Sequence, residues 1–114
     1  MVKVKTADLT GRALDWAVSE TEGGKRIFTT RKEFGLNVAK KIIPPYSSSW
    51  AYCGPLIERN SVGFSELPVT YEATVETKCM KCISHGETPL IAICRAIVAS
   101  KLGDEVDIPD ELID

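Results

Sequence analysis

The residues best suited to chemistry in this sequence are its thiols and its single imidazole. Cys79, Cys82 and His85 follow one another with two residues between each, and Cys53 stands elsewhere as a fourth potential ligand. Thiolate and imidazole are ligands that zinc prefers, so the cluster is a candidate zinc site. However, residues three apart on a strand point to opposite faces, and Cys94 falls on an apolar helical stripe. We therefore favour cysteines that serve packing and predict no metal and no cofactor, with a zinc site or a redox dithiol as the alternatives.

Catalysis by a nucleophile would require an activated serine or cysteine with a nearby base. His85 is the only histidine, and the sequence places it in a turn before Thr88, where an exposed position is expected. The glycine-rich motifs of serine hydrolases, phosphate loops and dinucleotide-binding folds are absent from the sequence. We predict that the protein is not an enzyme.

The feature that most suggests recognition is a segment of aromatic residues, 46–58. Tyr46 follows two prolines, and Trp50 and Tyr52 come after the triple serine next to it, a pattern that predicts an exposed loop. Aromatic side chains on a constrained loop combine large contact area with little entropy to lose, as interface hot spots do. The alternative is that Trp50 and Tyr52 cover the core beside Trp16. The candidate binding residues are Tyr46, Trp50, Tyr52, Glu58, Arg59 and Arg95.

Two kinds of ligand suit these candidates. A protein partner would use the aromatic segment as a hot spot. A small molecule, aromatic or anionic like a nucleotide, would be held by Trp50 and Tyr52 together with Arg95 or Arg59, because such pockets combine apolar walls with a few polar anchors. The protein partner is our first hypothesis.

Composition bounds the remaining possibilities. The 114 residues are 44% hydrophobic and 26% charged, which predicts one globular domain over residues 1–114. The net charge of -2 argues against nucleic acid. However, basic residues cluster within residues 25–41, close to Phe28 and Phe34, so a nucleic-acid-binding module is a further alternative. No apolar run is long enough to span a bilayer and no secretory segment opens the chain. We therefore expect a cytoplasmic protein with reduced thiols and no membrane contact.

The clearest predicted element is a helix over residues 89–102. Thr88 caps it, Pro89 occupies its first position and Gly103 follows its end. Residues 69–77 alternate between apolar and polar side chains, which predicts a half-buried strand followed by a turn near residues 77–78. The sequence thus predicts an α+β fold in which an antiparallel hairpin or small sheet packs against two main helices and one short helix.

The other predicted elements have weaker patterns. A first helix over residues 6–22 is expected to be capped by Thr6, and a short helix over 56–60 to begin at Pro55. Residues 36–43 are apolar without a clean period. Further short strands are predicted at 26–30, 79–84 and 106–108.

Three blocks of the sequence resemble the NinX-like proteins of tailed bacteriophages and prophages. They are residues 9–18 around Trp16, residues 46–58 with Gly54-Pro55, and residues 86–112 with Thr88-Pro89 and Arg95. This resemblance implies an uncharacterised accessory protein that serves the phage in a bacterial host cytoplasm. The protein partner that we expect from the aromatic segment would then be a host or phage protein. It carries no catalytic residue with it.

Overall fold

Helix α3 (Pro89–Leu102) lies between a three-stranded sheet and a second helix, and its buried side chains form the centre of the core. The computed structural model describes residues 1–24, 26–76 and 81–112. Over these ranges the protein is an α+β fold of three helices and several small antiparallel sheets, as predicted. None of the helices in the described ranges has the length and apolar character needed to cross a bilayer.

The ends of α3 confirm their predicted capping residues. The Thr88 hydroxyl accepts a hydrogen bond from the Ile91 amide at 3.2 Å, and Pro89 is the first helical residue. Gly103 follows the helix with a φ of 90°, a conformation that favours glycine. Because the sheet and α1 pack against this helix, most of its side chains are buried, among them Ile93 and Ile97.

The three-stranded sheet consists of β4 (Val62–Glu66), β5 (Tyr71–Glu76) and β6 (Lys81–Gly86), paired antiparallel in that order. The predicted alternation is confirmed along β5, where Ala73 and Val75 are buried against α3. Val69 was predicted to join this strand but is exposed in the preceding bend. Strand β4 was not predicted. The predicted turn at 77–78 lies outside the described residues.

Helix α1 (Gly11–Thr21) packs against α3, and its predicted start was wrong. Residues Thr6–Asp8 form a separate 3-10 turn. The Thr6 hydroxyl, instead of capping a helix, donates to the Gly103 carbonyl at 2.6 Å. Thr6 directly follows strand β1 (Val2–Lys5), so this bond connects the end of β1 to the end of α3. Strand β1 pairs antiparallel with β7 (Glu105–Ile108), which begins just after α3, and the two form a two-stranded sheet.

Strands β2 (Ile27–Glu33) and β3 (Leu36–Ile42) form a long antiparallel hairpin, which we call the arm. Neither strand makes an extensive contact with another helix or strand of the described chain, whose overall extents are 50 × 29 × 29 Å. The arm turns at Phe34 and Gly35, with φ of 51° and 78°. Two positive φ angles are typical of a type I′ turn, and they cost a non-glycine residue on the order of 1–3 kcal/mol.

Helix α2 (Trp50–Arg59) begins five residues earlier than predicted, with Pro55 inside it. Proline removes one amide, the one that would otherwise bond the carbonyl of Ala51 four residues earlier. Ala51 is exposed, so water can satisfy that carbonyl. The aromatic segment is therefore helical from Trp50 onwards, and the prediction of a loop there was wrong.

Candidate functional site

Helix α2 divides the predicted binding residues between two surfaces. Cys53 and Leu56 are buried and attach the helix to the core. Trp50 and Tyr52 are separated by about 200° around the helix axis, because each residue advances the helix by roughly 100°. The two aromatic side chains therefore lie on opposite sides of the buried stripe and belong to different surfaces.

Trp50 forms the first surface together with Phe64 of β4. Their ring centroids are 5.9 Å apart, with a tilt of 47° between the ring planes. Trp50 is 51% exposed and Phe64 is 46% exposed. Phe64 pairs with Ala73 and therefore lies on the face of the sheet that packs against α3. Because β4 is the edge strand of that sheet, α3 covers Phe64 only in part. We call these two residues the aromatic pair.

Tyr52 borders the second surface, a small cleft between α2 and the end of α1. Its volume is about 80 Å³. The Arg59 Nη1 donates to the Glu22 Oε2 at 2.7 Å across it. The residues lining this Tyr46 cleft are Glu22, Tyr46, Ala51, Tyr52, Pro55, Leu56 and Arg59.

Two polar atoms of the Tyr46 cleft are buried without a hydrogen-bond partner among the described residues. They are the Tyr46 hydroxyl and the Glu22 Oε1. Burial and the negative charge of Glu22 raise the pKa of Tyr46, so its hydroxyl keeps its proton and can donate. Buried polar groups are nearly always paired, so the cleft is suited to a water molecule or to one polar group from outside.

Arg95 lies apart from both surfaces. Its Nε donates to the Leu9 carbonyl at 2.9 Å and its Nη1 to the His85 carbonyl at 2.7 Å. Burial lowers the pKa of this half-buried guanidinium. Arg95 thus connects α3 to the segment before α1 and to the end of β6. Glu58, another predicted binding residue, is exposed on α2.

The candidate metal ligands that belong to the described residues do not converge on one site. The Cys53 and Cys94 sulfurs are 3.9 Å apart in the core, and hydrogen bonding to Cys53 and burial raise the pKa of Cys94. Cys82 lies opposite Val75 on the core side of the sheet. His85 is on the other side, with its Nε2 3.3 Å from the Glu72 Oε2. Cys79 lies outside the described residues.

No three histidine, cysteine or acidic side chains within residues 1–24, 26–76 and 81–112 are placed to share a metal ion. His85 lies on strand β6 and not in the predicted turn, and its side chain contacts the Glu72 carboxylate.

Sequence reasoning missed two residues of these surfaces. Phe64 follows Val62 with one residue between them, a short alternation that signals a strand but is weakened by the intervening glycine. Glu22 gave no signal, because a carboxylate at a helix end is normally solvated.

Comparison with known proteins gives a family for the whole arrangement. No curated protein matches the chain. The family described as Bacteriophage P22, NinX matches residues 5–101, which include the aromatic pair and the Tyr46 cleft and stop before β7. The chain therefore belongs to the Bacteriophage P22 NinX family.

Proposed function

We propose that this phage accessory protein acts without catalysis, by binding a host or phage protein through the surface of helix α2. The observation that carries the proposal is the aromatic pair, two large rings of which about half remains in solvent. Tryptophan and phenylalanine are enriched at protein interfaces because they bury much area for few rotatable bonds. The expected place of action is the cytoplasm of the bacterial host.

The position of the pair on a rigid support favours this function. Cys53 and Leu56 hold α2 against the core, and Trp50 stands at the first turn of that helix. A ring held this way loses little conformational freedom when a partner covers it. The area that the rings bury therefore contributes to affinity with only a small entropy cost for ordering the side chains.

The Tyr46 cleft supports the same kind of partner. Its volume of about 80 Å³ suits a single polar group rather than a metabolite. The Glu22 Oε1 and the Tyr46 hydroxyl have no partner among the described residues but are closed to solvent, so a partner's polar group would have to open the cleft to pair with them. Binding there would add specificity to the area that the aromatic pair supplies.

The alternative of a small molecule held by Trp50 and Tyr52 together with an arginine has less support. The Tyr46 cleft is well below the roughly 300–1,000 Å³ of typical ligand pockets. The Arg95 guanidinium, a predicted anchor for an anion, donates to two backbone carbonyls instead.

The test is quantitative affinity capture from infected host lysate with the wild type, Trp50→Ala and Leu102→Ala. Leu102 is a matched control because it is an exposed apolar residue on a different helix. We expect Trp50→Ala to lose a partner that wild type and control retain. Titration of that purified partner should then show a loss of about 2 kcal/mol, or roughly thirtyfold in affinity. Identical partner sets for all three proteins would overturn the proposal.

A further inference from the structure

The arm concentrates positive charge on an otherwise acidic protein. Residues 27–42 hold four basic residues and one acidic residue, so the arm carries +3 and the rest of the chain -5. The net charge of -2 conceals this separation. A polyanion would therefore be attracted to the arm and repelled by most of the remaining surface.

The strand register places two of the basic residues on one face of the arm. Phe28 lies opposite Lys41, and Lys32 lies opposite Asn37 on the same face, about 13 Å further along at the usual rise of a strand. Lys32 and Lys41 are exposed, and Phe28 is 76% exposed. Arg31 and Lys40 occupy register positions of the opposite face.

The tip of the arm carries a residue that its local geometry does not favour. Phe34 is fully exposed and has a φ of 51°, where asparagine or glycine would be preferred. It contributes nothing to the core and strains the turn. A bulky residue in such a conformation points to a use other than stability.

We propose that the arm binds duplex DNA, with its lysines against the phosphates and Phe34 at the leading end. The major groove of B-DNA admits a two-stranded ribbon, and an apolar side chain such as phenylalanine can contact the thymine methyl group there. The arm is about 23 Å long at the usual rise of a strand, which covers several base pairs. This activity is separate from the proposed protein contact, which uses helix α2.

Other occupants fit the arm less well. The deep, narrow major groove of RNA duplexes does not admit side chains, and single strands are usually bound in concave channels rather than by a projecting ribbon. A second copy of the chain would meet Leu36 and Val38, which are exposed on the face opposite to Lys32 and Lys41. That arrangement would leave both lysines without a role, whereas DNA uses both.

The test is fluorescence anisotropy of a short, mixed-sequence DNA duplex titrated with the full-length protein across a series of salt concentrations. Lys32→Glu/Lys41→Glu should weaken binding at least tenfold and reduce the log–log salt slope by about 2, because each lost phosphate contact removes about 0.9 from that slope. The matched control is Lys3→Glu/Lys5→Glu, which changes the net charge equally on two exposed lysines of β1. We expect this control to retain the wild-type slope.

Phe34→Asn separates binding from folding, because asparagine suits the turn better than phenylalanine. We expect this variant to melt no lower than the wild type, to bind the duplex severalfold more weakly and to keep the wild-type salt slope. Absence of wild-type binding at low salt, or equal losses in both lysine pairs, would overturn the proposal. Arm variants that abolish a dimer in sedimentation while leaving DNA binding unchanged would also overturn it, by assigning the arm to a second copy. Loss of the affinity-captured partner with unchanged DNA binding would assign it to a protein.

Discussion

Helix α3 and the arm use apolar side chains in opposite ways. On α3, Ile93 and Ile97 are fully buried between a sheet and a helix. On the arm, Phe28 and Leu36 remain largely in solvent, and an isolated two-stranded hairpin is only marginally stable. We therefore expect most of the free energy of unfolding to come from packing around α3. Substitutions in the arm should leave the rest of the protein folded.

The largest expected effect is that of a cavity in α3. Ile97→Ala should lower the free energy of unfolding by about 2–5 kcal/mol, because the buried side chain leaves a space that the rigid surroundings fill only in part. Its counterpart in the arm, Leu36→Ala, should change it by less than about 0.5 kcal/mol. Urea denaturation followed by circular dichroism measures both. Similar losses for the two variants would contradict the comparison.

A smaller effect is expected where the sheet approaches α3. A Cβ at Gly86 would lie 2.7 Å from the Ala92 amide nitrogen and 2.8 Å from the Ile91 Cγ2. Gly86→Ala should therefore cost about 1–3 kcal/mol through overpacking. Gly63→Ala, in the edge strand β4, is the control because a Cβ there meets nothing within 4 Å. A thermal melt of Gly86→Ala that matches the control would show that the strand and helix can separate freely.

The smallest effect concerns the junction between the arm and α1. Arg12, Asp15 and Lys41 line a hollow there, and the Asp15 Oδ1 accepts from the Ser47 amide at 2.7 Å. Burial raises the pKa of Asp15, although the hydrogen bonds from Ser47 oppose the shift. The folded protein therefore holds this proton more tightly than the unfolded chain, which favours folding at low pH and is lost as pH rises through the raised pKa.

Asp15→Asn should remove that dependence. Relative to the wild type, the stability of the variant should increase as pH rises from the ordinary range of an aspartate through the raised pKa. The increase should be small, because the partly solvated carboxyl is screened. Urea denaturation of both proteins at a series of pH values measures the difference. A difference that stays constant or falls with rising pH would contradict the prediction.

Local signals predicted the fold where a residue had one strong structural use. The bounds of α3 were predicted correctly because Thr88 caps its start, Pro89 favours its first position and Gly103 ends it. Thr6 misled the prediction because its hydroxyl bonds a carbonyl 97 residues away, which no local pattern indicates. The start of α2 was missed because an exposed carbonyl tolerates the missing amide of Pro55.

The candidate surfaces were less predictable, for a physical reason. The aromatic residues were visible in the sequence, but Trp50 and Tyr52 separate onto two surfaces only because the segment is helical. Arg95 was predicted to bind an anion, but its guanidinium donates to two backbone carbonyls that are distant in sequence. The net charge conceals the basic cluster, and only the strand register shows that the cluster lies on a projecting arm.

The pairing of β1 with β7 has a consequence during synthesis. Val2 pairs with Ile108, so β1 stays unpaired after it leaves the ribosome until β7 has been synthesised. The remaining sheet and α3 can assemble before that moment, since their contacts join residues closer in sequence. Closure of the β1–β7 ribbon should therefore be a late step, completed after translation has passed β7.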